Sequence, residues 1–200
     1  AKDVFLHLLA YAMLYVGVVS FIALFFQYIN VSFPDALDFF YENALDIVRN
    51  SMAALIVVWP VFILLTWLIN KDRDLDPDKQ LGIRKWLVYL TLFVTAITVI
   101  VDLITLVRYF LDGEITPRFI LKVLVVLVTA LVVFGYAFWD LKRTKKHALS
   151  KWAAIGSSAV VVASIVLGFF IVGTPAEQRE VRLDSQRAQD LSWIQQEVFA

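Results

Sequence analysis

The stretch "TLFVTAITVIVDLITLVRYF", residues 91–110, decides the fold. Between Thr91 and Val107 its single charge is Asp102, and the other polar residues are four threonines. As a helix, such a stretch is about 30 Å long, the thickness of a bilayer's hydrocarbon core. In that medium a helix satisfies its own backbone donors and acceptors, so an apolar run of this length is read as a membrane span. Runs of the same kind predict spans at about 4–29, 46–69, 86–111, 117–141 and 150–173. The expected fold is therefore all-α, an integral membrane five-helix bundle over residues 1–173, followed by a separate segment at 174–200.

Composition agrees with the membrane class: 60% of the 200 residues are hydrophobic and 18% are charged. Eighteen basic residues balance eighteen acidic ones, so no net charge points to nucleic acid. The absence of cysteine excludes disulfides and thiolate chemistry. The first apolar run is too long for a signal-peptide core and is read as a retained span. Charge placement then predicts orientation. Lys71, Arg73, Lys79, Arg84 and Lys85 cluster between the second and third spans, and Lys142, Arg143, Lys145, Lys146 and Lys151 between the fourth and fifth. The connections at 30–45 and 112–116 hold no Lys or Arg. The positive-inside rule puts the N-terminus in the cytoplasm and the C-terminus outside.

Local punctuation marks several boundaries. Thr116 and Pro117 form an N-cap and first-turn proline at the start of the fourth span. Gly173 ends the fifth, and Thr174, Pro175 and Glu177 have the order of a capping box that opens a further helix. Leu183, Leu191, Ile194 and Val198 share one face of that tail, which predicts an amphipathic extracytoplasmic helix. The segment at 30–45 has the pattern of an outer interfacial element, with Phe33, Leu37, Phe40, Tyr41 and Ala44 on one side. Asp35, Asp38, Glu42 and Asp46 make an outer acidic face, read as solvated and not as a cation site, because hard cations need more converging oxygens.

In order along the chain, "KDVFLHLLA", "SMAALIVVWPVFIL", "IRKWLVYLTLF", "LKVLVVLV" and "VFGYAFWDLK" resemble a family of small bacterial five-span membrane proteins described only as a domain of unknown function. The tail "GTPAEQREVRLDSQRAQDLSWIQQEV" resembles the extracytoplasmic continuation such proteins carry. The resemblance implies a multi-pass protein of the bacterial cytoplasmic (inner) membrane. It implies no activity, cofactor or catalytic residue.

The polar residues inside the spans are the candidate site. Thr91, Thr95, Thr98, Asp102, Thr105 and Tyr109 recur at steps of four and three, which makes a narrow stripe on the third helix. Lys122, Thr129, Tyr136 and Asp140 keep one face of the fourth. The short link between these spans predicts antiparallel neighbours. At 1.5 Å per residue Asp102 lies about 13 Å, and Lys122 about 8 Å, from the shared outer end. Asp102, Lys122, Arg49, Arg108, Arg118, Thr98 and Thr105 are thus grouped as an intramembrane polar cluster. Two readings stay open. One is an outward-facing cavity in which Asp102 carries a proton or cation, or the basic groups hold an anion. The other is a structural pair of Asp102 and Lys122 that fixes helix register, with the threonines bonding to their own backbone or across helices.

Weaker patterns lead nowhere further. His7 and His147 have no ligand motif around them, and "DRDLDPDK" has Pro77 where a calcium loop needs glycine. No nucleophile triad, phosphate loop or zinc motif is present, so neither a catalytic residue nor a metal or cofactor site is expected. Trp59-Pro60 falls within the second span, where proline bends a helix. The fifth span is rich in small residues, including Ser164-x-x-x-Gly168, a spacing that lets helices approach closely. The expected function is that of a non-enzymatic accessory or interaction subunit. It would engage lipid, a partner membrane protein or a second copy through the fifth span and residues 174–200. The rival is a small transporter or ion-conducting protein that uses Asp102 and Lys122.

Overall fold

The computed structural model describes residues 2–33, 41–73, 81–113, 116–142 and 148–173, together with 179, 183, 184, 186, 187 and 191. Five helices make up the architecture: α1 (Lys2–Ser32), α2 (Tyr41–Arg73), α3 (Leu81–Leu111), α4 (Pro117–Lys142) and α5 (Ala148–Val172). There is no strand among the described residues. Each helix is long and apolar enough to cross a membrane, with mean hydropathy between 2.3 and 2.6 over the spanning windows. The 31 residues of α1 extend about 46 Å, well beyond a hydrocarbon core of about 30 Å, so its ends can reach the headgroup layer.

The helix ends follow their local chemistry. Thr116 Oγ accepts the Phe119 amide at 3.2 Å and its carbonyl accepts the Ile120 amide, which places Thr116 at the N-cap of α4 with Pro117 behind it. Gly113 and Gly173 take the left-handed conformation, with φ of 71° and 82°, just past α3 and α5. The Gly173 amide bonds back to the Phe169 carbonyl at 3.0 Å, as expected of a left-handed C-terminal cap. Glu177 and the rest of the capping sequence that follows lie outside the described residues, as do Asp35, Asp38 and the side chain of Glu42. Of the tail, residues 179, 183, 184, 186, 187 and 191 are described, all in helical conformation.

The first helix is the centre of the bundle. It packs chiefly against α2 and also touches α3, α4 and α5. The pair α3 and α4 are neighbours, as their short connection predicts, while α5 lies mainly on α2. Among the described residues the backbones of α2 and α5 do not come close to those of α3 or α4, and both sides pack on α1.

The tightest packing lies between α1, α2 and α5. Leu24 and Leu55 have no exposed surface there, and Val161 and Val172 of α5 close the cluster. Gly168 leaves the room that the Met52 and Tyr28 side chains fill. A methyl group at that position would sit 2.7 Å from the Tyr28 hydroxyl and closer still to the Met52 sulfur. The same tyrosine donates to the Ser164 carbonyl at 2.6 Å, tying α1 to α5. The Ser164-x-x-x-Gly168 spacing is therefore occupied within the bundle. Trp59 donates its indole N–H to Ser158 Oγ at 3.0 Å, tying α2 to α5. Helix α2 continues through Pro60, whose ring costs the Ile56 carbonyl its usual intrahelical partner on an exposed side of the helix.

Candidate functional site

The threonine stripe of α3 is committed mostly to its own backbone. Thr98 donates to the Val94 carbonyl at 2.9 Å, Thr105 to that of Val101 at 2.8 Å and Thr95 to that of Thr91 at 2.8 Å. Such back-bonding removes the polar cost of a hydroxyl in hydrocarbon without lining a water path. Thr91, 1% exposed, donates to the Leu87 carbonyl and stands 2.9 Å from the Tyr15 hydroxyl. Since its one proton is engaged by Leu87, Tyr15 is the donor to Thr91. This end of the stripe therefore reaches α1.

Asp102 differs from the threonines around it. The residue is half-buried, and its Oδ2 is buried with no hydrogen-bond partner among the described residues. A carboxylate within a membrane span costs about 2.5–3.5 kcal/mol on insertion scales, which sets Asp102 apart from the back-bonded threonines.

The basic residues grouped with Asp102 by sequence reach different neighbours. Arg49 donates to Asp46 at 2.7 Å one turn away on α2, which brings two of the expected site residues together on an exposed face. Arg108 lies 3.7 Å from Asp112, also exposed. Arg118 donates from Nε to Asn30 Oδ1 at 3.0 Å, across from α4 to α1, and Asn30 in turn donates to Gln27 Oε1 at 2.8 Å. The Lys122 ammonium lies 5.7 Å from the centre of the Phe26 ring, again on α1. Tyr109 and Phe119 stack at 4.2 Å where α3 and α4 meet.

Gln27 and Asn30 are the residues that sequence reasoning did not single out. Their spacing of three at the end of an apolar run is the available signal, because it places two amides on one face of a span's last turn. Next to this amide and arginine chain, α1 and α4 part to leave an apolar groove of about 390 Å³. Phe21, Phe25 and Ile29 form one wall, and Leu121, Val125 and Val128 belong to the other. Among the described residues no group of three or more His, Asp or Glu converges as a metal site requires.

A family model described as "Domain of unknown function (DUF5671)" matches residues 3–137. The chain belongs to that family. No curated protein and no solved structure matches it. The DUF5671 match spans α1, α2, α3 and most of α4, so it contains both Asp102 and the groove, and it ends before α5.

Beyond the DUF5671 region, α5 has two distinct sides. Val161, Ser164, Gly168 and Val172 face inward, whereas Gly156, Ala159 and Ala163 are exposed along another strip. Among the described residues, and apart from its own helix, no atom lies within 4 Å of the position a Cβ would take on Gly156.

Proposed function

We propose that this chain is a non-enzymatic accessory or interaction subunit of the bacterial inner membrane, which docks a second membrane protein on the open side of α5 and on the tail at 174–200. The observation that carries this reading is the pair of unlike sides on α5: one strip is closed against α1 and α2, while the strip through Gly156, Ala159 and Ala163 stays uncovered. In lipid, helices gain little from hiding apolar surface and associate where small residues let backbones approach. A small-residue strip on the outside of a bundle therefore suits a protein neighbour better than an acyl chain. By the positive-inside reading, the tail lies on the extracytoplasmic side.

Because the natural chain has no cysteine, a thiol introduced at Ala159 is unique. The protein with Ala159→Cys, carrying a thiol-reactive benzophenone, is expected on illumination in native membranes to give an adduct with a different polypeptide. The same probe at the exposed Phe93 of α3 is expected to give none. Adducts with a second copy alone would replace the accessory role by self-association, and no adduct at Ala159 would end the proposal. Deleting residues 174–200 is expected to weaken the adduct while the bundle stays folded.

A second reading is favoured by the buried Oδ2 of Asp102, which suits a proton or cation step in a small transporter. Proteoliposome flux that is unaltered by Asp102→Asn and by Lys122→Met would reject it.

A further inference from the structure

We propose that Trp67, Trp86, Trp139 and Trp152 form a ring that seats one end of the bundle at the headgroup layer of the bilayer, and that the first two turns of α1 stand past this ring among the headgroups. The seating depends neither on a partner at α5 nor on which end faces the cytoplasm.

Every helix is longer than the hydrocarbon core, so length alone leaves the depth of the bundle open. The tryptophans close it. Trp67 and Trp139 lie near the ends of α2 and α4, and Trp86 and Trp152 near the starts of α3 and α5. Because successive spans alternate in direction, all four belong to one end of the bundle. Trp67, Trp86 and Trp152 are 59%, 60% and 69% exposed, and the exposed rings of Tyr89 and Tyr136 stand one turn inside this level. An outward-facing indole offers an apolar body to hydrocarbon and an N–H to headgroup oxygens, which is the polarity of a membrane interface. At the opposite end the most exposed rings are those of Phe33, Phe110 and Phe170, which have no polar tip.

Spacing supplies an independent measure. From the ring to the first boundary at the opposite end, α2 runs about 27 Å to Arg49, α3 about 33 Å to Arg108, α4 about 33 Å to its first residue Pro117, and α5 about 32 Å to Gly173. Four helices thus agree on one slab of about 30 Å, the thickness of hydrocarbon, between the ring and the level of the exposed Arg49–Asp46 and Arg108–Asp112 pairs.

Helix α1 has no tryptophan, and its depth follows from the bond between Tyr15 and Thr91. Thr91 lies about 7 Å inside Trp86 along α3, so on α1, which crosses in the same direction, the ring level falls at Ala10. Residues Lys2 to Leu9 then stand beyond it. Phe5, 63% exposed with Val4 and Leu8 exposed beside it, is placed about 7 Å past the ring, which matches a headgroup layer of roughly 5–8 Å.

The test is nitroxide labelling of single introduced thiols in the full chain, in vesicles of phosphatidylcholine and phosphatidylglycerol, with collision rates read against oxygen and a nickel chelate. Labels on Val57→Cys, Ile97→Cys, Val128→Cys and Val162→Cys, all exposed and midway across the slab, are expected to be equally deep. A label on Phe5→Cys is expected to meet the chelate about tenfold more often than one on the exposed Val19→Cys, because only the first stands outside hydrocarbon. Replacing Trp67, Trp86 and Trp152 together by Leu is expected to lower chelate access at position 5 about threefold as that end sinks, and replacing them by Tyr to leave it unchanged. A Phe5→Cys label as deep as that on Val19→Cys, unequal depths among the four central labels, or access untouched by the leucine replacements overturns the proposal. The first two comparisons leave the ring intact, so they decide the placement even where the leucine variant misfolds.

Discussion

The two sides of the bundle hold their helices in different ways. Between α5 and the α1/α2 pair, bonds run from one helix to another: Tyr28 to the Ser164 carbonyl, Trp59 to Ser158, with Gly168 leaving room for Met52 and Tyr28. On the other side the hydroxyls of Thr95, Thr98 and Thr105 return to their own helix, the bonds that cross are those of Tyr15 with Thr91 and of Arg118 with Asn30, and an open groove lies between α1 and α4. Small hydroxyls bond back one turn on either side, Ser164 to Val160 as Thr98 to Val94, so it is the large polar side chains of Tyr28 and Trp59 that join α5 to its neighbours.

The contrast is broken most severely at Gly168. Gly168→Val places methyl groups where Met52 and Tyr28 already stand, and is expected to lower bundle stability by about 3 kcal/mol, measured by denaturant-driven unfolding in mixed micelles. A smaller loss is expected for Tyr28→Phe, which keeps the ring and removes the bond to Ser164. It should cost about 1 kcal/mol, and helix α5 should become more accessible to hydrogen exchange while α3 is unchanged. The smallest effect belongs to the opposite side. Thr98→Val and Thr105→Val together are expected to stay within about 0.5 kcal/mol of the unaltered protein in the same unfolding assay. A loss at the threonines as large as that at Tyr28 would remove the distinction between the two sides.

The helices were legible in the sequence because hydrocarbon leaves a chain little choice: every apolar run long enough to cross becomes a helix. Thr116-Pro117 and Gly173 marked ends for the same local reason, since caps depend on neighbouring residues alone. The rotation of each helix about its axis was less visible. Helix α1 is apolar on every side, so periodicity does not tell which residues meet which partner, and the bonds from Tyr15 to Thr91 and from Arg118 to Asn30 emerge only from the packed bundle. The spacing puts the threonines on one helix face and leaves two acceptors open, their own backbone or a neighbouring helix; for Thr95, Thr98 and Thr105 the packed bundle selects the carbonyl one turn back. Asp102 was identifiable as an expensive group within a span; that its Oδ2 is buried without a hydrogen-bond partner among the described residues depended on the surrounding packing.

The central place of α1 bears on how the protein is made. Each later helix packs on α1, or on a helix that already does, and the first two pair with each other, so every span leaving the ribosome finds its docking surface already inserted. Assembly can then advance in the order of synthesis without earlier helices being pulled apart to admit later ones. A defect in α1 would be inherited by all that follow, whereas one in α5 would reach a bundle whose other members were already in place.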